Sequence, residues 1–326
     1  MDNIIIVTIS IFIISIILSF LINLLIIIFN KKNKKLNVER KYLYFHNNKK
    51  NVPFLGGISI IVTTFISFII YTFIFKYDEV TFISLISLTL YGIVGFIDDF
   101  KKIKKNNSEG LSPLLRLFLE SIIAIFIIYL LGFNYEIFKH LNINGLKIGL
   151  FSFPLFIFLF IGGSNASNIV DGIDGLDAGL TLIALVPNIL ISFKDGYYIY
   201  GLFLLSVIGS LIGFLFLNSH PAKIFLGDTG SLTLGNILIL SSIILNNIIL
   251  IPIIMFLFII ETLSIIIQVL YYKKTKKRIF LMAPLHHHFE MKNVEESKIV
   301  MSFYLLGIIL SIISILIRSI IWIYYF

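Results

Sequence analysis

The chain has 326 residues, 58% hydrophobic and 13% charged, with net charge +8 and mean hydropathy +1.00. A soluble domain of that length would need far more charge to cover its surface, so a soluble fold is excluded. It has no cysteine, which excludes disulfides and thiolate chemistry as well. Apolar runs of about 18 residues or more recur instead and read as membrane-spanning helices. They lack the apolar–polar alternation of barrel strands.

In chain order the predicted spans are 4–29, 54–75, 80–97, 114–133, 149–164, 176–193, 198–217, 229–246, 249–271 and 300–324. The first is too long for a signal-peptide core, follows Asp2 rather than a basic segment and precedes no small-residue cleavage pattern. It is therefore read as a true span. The expectation is one all-α transmembrane domain over 1–326, with about ten helices. Alternate connections carry very different charge. The loops at 30–53, 98–113, 165–175, 218–228 and 272–299, with Arg116 just beyond the second, hold 21 of the 26 lysines and arginines. The positive-inside rule makes these loops cytoplasmic and puts both termini outside.

Four polar stretches then fall on the cytoplasmic side. Asp98 and Asp99 end the third span, ahead of Lys101 and Lys102. Adjacent carboxylates beside hydrocarbon repel each other, so they suit a hard cation or a proton better than a plain solvated helix end. Asn165, Asn168, Asp171 and Asp174 recur every third residue and would share one helical face, with Gly172 and Gly175 allowing close approach of a ligand. Asp228 lies directly before the eighth span; it reads either as a helix N-cap or as a group at an anion-favouring helix start, and the two are compatible. Asn218 and Phe225, in the same loop, are suited to hydrogen-bonding and stacking on a base. His286, His287 and His288 follow Pro284 without zinc-type spacing, so they read as imidazoles facing phosphate or sugar oxygens. Lys49 lies in a basic turn before the second span, a possible phosphate contact. Glu120 and Glu261, inside spans, are read as structural hydrogen-bond acceptors.

The segments DDFKK (98–102), NASNIVDGIDGL (165–176), NSHPAKIFLGDTGSLTLG (218–235), ETLSIIIQV (261–269) and RIFLMAPLHHHFE (278–290) resemble the polyprenyl-phosphate N-acetylhexosamine-1-phosphate transferases. The histidine segment in particular resembles the branch acting on muramoyl-pentapeptide. The resemblance implies ten helices, a cytoplasmic Mg²⁺ site in the bacterial cell membrane and a homodimer. Asp228 would hold Mg²⁺, and Asp98 would serve as base or orienter of the lipid phosphate, with Asp99 beside it. Lys49, Asn168, Asp171, Asp174, Asn218 and Phe225 would surround the uridine diphosphate, with Phe225 on the uracil. His286, His287 and His288 would meet the phosphate or amino-sugar end. The family pattern puts a basic residue where this chain has Leu114; here the first one is Arg116.

The implied reaction moves phospho-N-acetylmuramoyl-pentapeptide from its UDP-activated form to undecaprenyl phosphate, with release of UMP. A sister activity on UDP-N-acetylglucosamine is the alternative, which the triple histidine disfavours. A lipid or solute transporter would place ionisable groups at mid-membrane and show inverted repeats, and neither feature is visible.

Overall fold

Helix α1 (Asp2–Asn33) turns several polar residues inward and an apolar stripe outward. Ser15, Ser19 and Asn23, spaced four apart, are buried, whereas Ile5, Ile9, Ile13, Ile17, Leu21 and Leu25 form an exposed stripe. This inversion of ordinary amphipathicity is what a hydrocarbon solvent selects. The structure is a computed structural model that describes residues 2–33, 36, 52–75, 78–105, 109–134, 142–143, 146–147 and 152–325; Lys49 lies outside the described residues.

The remaining helices are α2 (Gly57–Ile74), α3 (Glu79–Lys105), α4 (Pro113–Asn134), α5 (Ser152–Val170), α6 (Leu176–Lys194), α7 (Tyr198–Asn218), α8 (Gly227–Ile244), α9 (Phe256–Thr275), α10 (Leu285–Met291) and α11 (Glu296–Tyr325). A two-residue antiparallel pair, Asn142–Ile143 with Leu146–Lys147, is the strand content among the described residues. The protein is thus an all-α, multi-pass membrane protein. Among the described residues, nine helices are long and apolar enough to cross a membrane.

The predicted eighth span is α8, and it is not one of the nine. It is as long as α2 but more polar, with Asp228, Thr229, Ser231, Thr233 and Asn236 in its first ten residues. It tolerates that polarity because protein surrounds it: every residue but the last is buried, and α2, α3, α5 and α6 pack around it. Side-chain hydrogen bonds tie it in, from Ser87 Oγ to Asn236 Oδ1 (2.9 Å) and from Asn188 Nδ2 to Ser241 Oγ (2.8 Å). Such bonds, with close backbone contact at small residues, join helices that gain little from burying leucine against lipid. One close backbone contact is at Gly95 on α3, where a Cβ would run into the backbone of Asp228 and Thr229.

Three elements depart from the expected bounds. Helix α3 runs to Lys105 rather than ending at 97, so Asp98, Asp99 and Lys102 are helical. Helix α5 runs to Val170, so Asn165 and Asn168 are helical too. The expected ninth span is broken: a helical turn through Ile248–Ile254 ends at Met255, and α9 starts afresh at Phe256. Helix α9 packs on α5 and leaves most of its surface exposed. An apolar groove of about 230 Å³ opens between α5, α8 and α9, lined by Phe158, Gly162, Ala166, Ile239, Met255 and Leu263.

If backbone contact at Gly95 sets the α3–α8 spacing, Gly95→Ala should lower the Tm of the detergent-purified protein by roughly 3 °C or more, since overpacking costs about 1–3 kcal/mol. Gly162→Ala is the matched control, because a Cβ there meets nothing within 4 Å. Equal melting of the two variants would refute that account.

Candidate active site

The amides that open a helix have no partner within the helix, and inside a membrane they cannot turn to water. Helix α8 solves this with a carboxylate from α3. Asp99 Oδ1 accepts from the Asp228 amide (3.0 Å), and Asp99 Oδ2 accepts from the Thr229 amide (2.8 Å) and hydroxyl (2.6 Å). Asp228 itself therefore does not cap α8. Its carboxylate points to two cations: Lys102 Nζ lies 2.9 Å from Oδ1, and Arg116 Nη1 lies 3.2 Å from Oδ2.

Lys102 also lies 2.7 Å from Asp98 Oδ2, one helical turn before it, so its ammonium stands between Asp98 and Asp228. Asp98 Oδ1 accepts from the Leu111 amide (2.6 Å). Carboxylate oxygens of Asp98, Asp99 and Asp228 all lie within 4.8 Å of one another, and all three residues are buried. At about 5 Å and an effective dielectric near 20, each pair of like charges repels by about 3 kcal/mol, so this grouping persists only with cations present.

Arg116 links the cluster to α5. Its Nη2 donates to Asn165 Oδ1 (2.6 Å), and its Nη1 reaches Asn168 Oδ1 (3.4 Å). Behind it, buried Glu120 faces Arg116 Nε at 3.4 Å and accepts from Asn165 Nδ2 (2.6 Å) and Ser164 Oγ (3.0 Å). Asn168 Nδ2 donates to Ser231 Oγ on α8 (2.9 Å). Glu120 thus has the structural role expected from the sequence, and it also aims Arg116.

The donors suit a hard divalent cation. Carboxylate oxygen is its preferred ligand, and the Lys102 ammonium marks a place between Asp98 and Asp228 that already attracts positive charge. As ionised groups, Asp98, Asp99, Asp228 and Glu120 exceed Lys102 and Arg116 by two negative charges. Both Asp228 oxygens and Asp98 Oδ2 face movable side-chain cations, whereas both Asp99 oxygens are held by the start of α8, so the first two residues are the better-placed ligands.

The expected common face of Asn165, Asn168, Asp171 and Asp174 holds only for the first two. Helix α5 ends at Val170, and Gly175 takes a left-handed conformation (φ +79°) before α6. Asp174 consequently turns toward the 218–222 segment, meeting His220 Nδ1 and the Ala222 amide, both at 3.0 Å from Oδ2. The Asp174 amide donates to Glu296 Oε1 (2.6 Å), and His220 Nδ1 is also 3.2 Å from Glu296 Oε2. Asp174, His220 and Glu296 form a second group with metal-ligand spacing. Asn218 bridges the same loops, accepting from the Gly175 amide (3.0 Å) and donating to Ile224 O (2.8 Å). Phe225 is buried, its ring edge-on to Phe54 with centroids 5.4 Å apart.

The three histidines occupy helix α10 and face three ways. His286 is fully buried; its Nδ1 lies 3.3 Å from Glu261 Oε2, and its Nε2 abuts Gly172, where any Cβ would collide. His287 Nδ1 pairs with Glu290, and His288 Nδ1 accepts from the Leu281 amide (3.1 Å). Glu261 receives the Leu285 and His286 amides (2.6 and 3.1 Å), so this intramembrane acid caps α10. Lys102 and Arg116 were the residues sequence reasoning passed over as ligand-facing groups. Their signal was present, since each follows or precedes an acid by one turn, Asp98–Lys102 and Arg116–Glu120.

Residues 81–246 match the family described as glycosyl transferase family 4. Proteins named phospho-N-acetylmuramoyl-pentapeptide-transferase are similar over most of the chain. The one from Bacillus subtilis (strain 168) is 36% identical over 278 residues, covering 84% of this chain and 86% of its own. That from Geobacillus sp. (strain WCH70) is 38% identical over 284 residues, 85% and 86% of the two chains. That from Rickettsia canadensis (strain McKiel) is 37% identical over 295 residues, 82% and 80%.

Burial pushes the His286 imidazole below its usual 6.5, with the nearby His287 adding to the effect and Glu261 opposing it. The unfolded chain then binds more protons than the folded one just below pH 6.5. Stability from this group is therefore complete above that pH and declines on acidification. The Tm in detergent should fall between pH 7.5 and 5.5, and fall less in His286→Asn, whose amide does not titrate. An equal fall in the variant would assign the effect to another group.

Proposed function

The chain belongs to glycosyl transferase family 4, among the phospho-N-acetylmuramoyl-pentapeptide transferases, and from that premise we propose how its residues carry out the transfer. The protein transfers phospho-N-acetylmuramoyl-pentapeptide from the UDP-activated donor to undecaprenyl phosphate, giving the lipid-linked product and UMP. The observation that carries the assignment of the site is the convergence of Asp98, Asp228, Lys102 and Arg116 beside an apolar groove. The groove runs along α5 past Gly162 and Ala166, and Asn165 and Asn168 of the same helix bond Arg116, which pairs with Asp228 of the acid cluster. A polyprenyl tail fits the first part and its phosphate the second.

A terminal phosphate has a second pKa near 6, so the acceptor is largely a dianion and needs little general-base help. Its oxygen forms a bond to the sugar-linked phosphorus of the donor while the bond from that phosphorus to the bridging oxygen breaks; UMP leaves with that oxygen. Asp98 is held by the Leu111 amide and Lys102, which suits orientation of the acceptor better than covalent attack. Lys102 and Arg116 give charge-assisted hydrogen bonds to phosphate oxygens, worth most in a site shielded from water. Asp98 and Asp228 would hold Mg²⁺, which when bound would supply neutralisation of diphosphate charge. Asp99 positions Asp228 through the start of α8. The loop bearing Asp174, Asn218 and Phe225, with Lys49 and Asp171, takes the uridine end, and α10 with His286, His287 and His288 takes the amino-sugar side.

The lysine and arginine asymmetry puts this face in the cytoplasm, where the nucleotide sugar is made available, with both termini outside. The reading is of one transferase domain over 1–326, acting as a homodimer in the bacterial cell membrane.

Purified protein given Mg²⁺, undecaprenyl phosphate and either UDP-N-acetylmuramoyl-pentapeptide or UDP-N-acetylglucosamine should release UMP only with the former. Release only with the latter would reassign the sugar. Arg116→Gln should lower kcat about 10²- to 10³-fold, the size of a lost preorganised donor, measured below its Tm, which falls because buried Glu120 loses its cation; wild-type turnover would remove Arg116 from the site. Asp228→Asn should abolish turnover or raise the Mg²⁺ requirement, and unchanged metal dependence would exclude it as a ligand.

A further inference from the structure

The end of α9 and the chain that returns from it form a cationic tip on an apolar stem. Ile266, Ile267, Val269 and Leu270 are exposed on the last turns of the stem, followed by exposed Tyr271 and Tyr272. Five cations come next within six positions: Lys273, Lys274, Lys276, Lys277 and Arg278, all exposed. Lys276 adopts a left-handed conformation (φ +57°) that reverses the chain. Ile279 and Leu281 on the return strand are exposed and apolar again.

The reversal is a built feature. Gln268 Oε1 accepts from the amides of Ile279 (3.1 Å) and Phe280 (3.0 Å), and its Nε2 donates to Phe280 O (3.2 Å). These bonds bring the return strand back to the level of Gln268, below Tyr271 and Tyr272, and leave the five cations at the apex. Among the described residues none of the five makes an ion pair with a carboxylate. Lys276 Nζ instead lies over the Tyr272 ring, 5.8 Å from its centroid, and Arg278 Nη1 donates to Leu281 O (3.2 Å).

From this arrangement we infer that the 271–281 hairpin docks on the headgroups of anionic phospholipid in the surrounding bilayer. Apolar residues on both legs fix its depth at the hydrocarbon boundary, and paired tyrosines just below the cations match the interfacial belt. A tip so placed meets lipid phosphates before any soluble partner, and clustered lysines at such a depth attract anionic lipid additively. The docked hairpin also holds the histidine helix, because the Leu281 amide donates to His288 Nδ1 and Phe280 sits edge-on to the His288 ring (5.9 Å). The inference concerns the membrane surface alone and does not depend on which sugar the site accepts.

The test uses the full chain in lipid nanodiscs, with Trp322→Phe removing the only tryptophan and Tyr272→Trp placing a probe beside the tip. Tryptophan quenching is compared for brominated phosphatidylglycerol and brominated phosphatidylcholine at the same mole fraction in a phosphatidylcholine bilayer. The anionic lipid should be enriched at the probe at least about fivefold, the factor that one basic residue near an anionic surface supplies. Enrichment should vanish in 0.5 M salt, where the Debye length is about 4 Å, and in the variant with all five cations changed to Gln. A Tyr198→Trp probe near the opposite membrane face should show none. Equal quenching by the two lipids at Tyr272→Trp, or enrichment that survives the five-residue change, would overturn the inference.

Discussion

The hold that Asp99 has on the first amides of α8 is the constraint from which the site follows. An enclosed helix start has no water to satisfy it, and a carboxylate from a neighbouring helix both accepts its hydrogens and complements its positive end. That attachment requires α3 and α8 to touch, which Gly95 permits. Once they touch, Asp98 lies one residue before the anchor and Lys102 three residues after it. Asp228, in the first turn of α8, is then within reach of both. A structural hydrogen bond therefore creates the geometry in which three acids gather around a cation.

The bilayer explains why polar residues accumulate inside. Helix α1 turns serine and asparagine inward and isoleucine outward, and α8 carries more polarity than a lipid-facing helix tolerates. Interhelical hydrogen bonds then do part of what leucine burial does in a soluble core. The break at Met255 is the counterpart of this close packing. Starting again at Phe256, α9 lines the apolar groove with α5 and α8 and carries the basic hairpin at its end.

The histidine segment illustrates how a motif resolves into separate tasks. Glu261 caps α10, His286 fills the space that Gly172 leaves, His287 pairs with Glu290, and His288 ties back to Leu281. Two intramembrane acids, Glu120 and Glu261, serve as supports for Arg116 and α10.

Much of this was legible in one dimension. Length and apolarity dictate membrane helices because each span must satisfy its own backbone, and the aspartate stretches advertise themselves because charge beside hydrocarbon is costly. Helix ends were less legible: α3 and α5 continue past their apolar stretches because neighbouring helices, not lipid, receive Asp98, Asp99, Asn165 and Asn168. The apparent three-residue rhythm from Asn165 to Asp174 broke at Val170 for the same reason, with Asp174 drawn to His220 and Glu296. The sequence alone determined that acids, amides and histidines would gather at helix ends of a multi-pass protein. Only the tertiary structure decided that Asp99 caps while Asp228 faces Lys102 and Arg116. Those pairings depend on the rotation and separation of different helices, which spacing along a single helix does not encode.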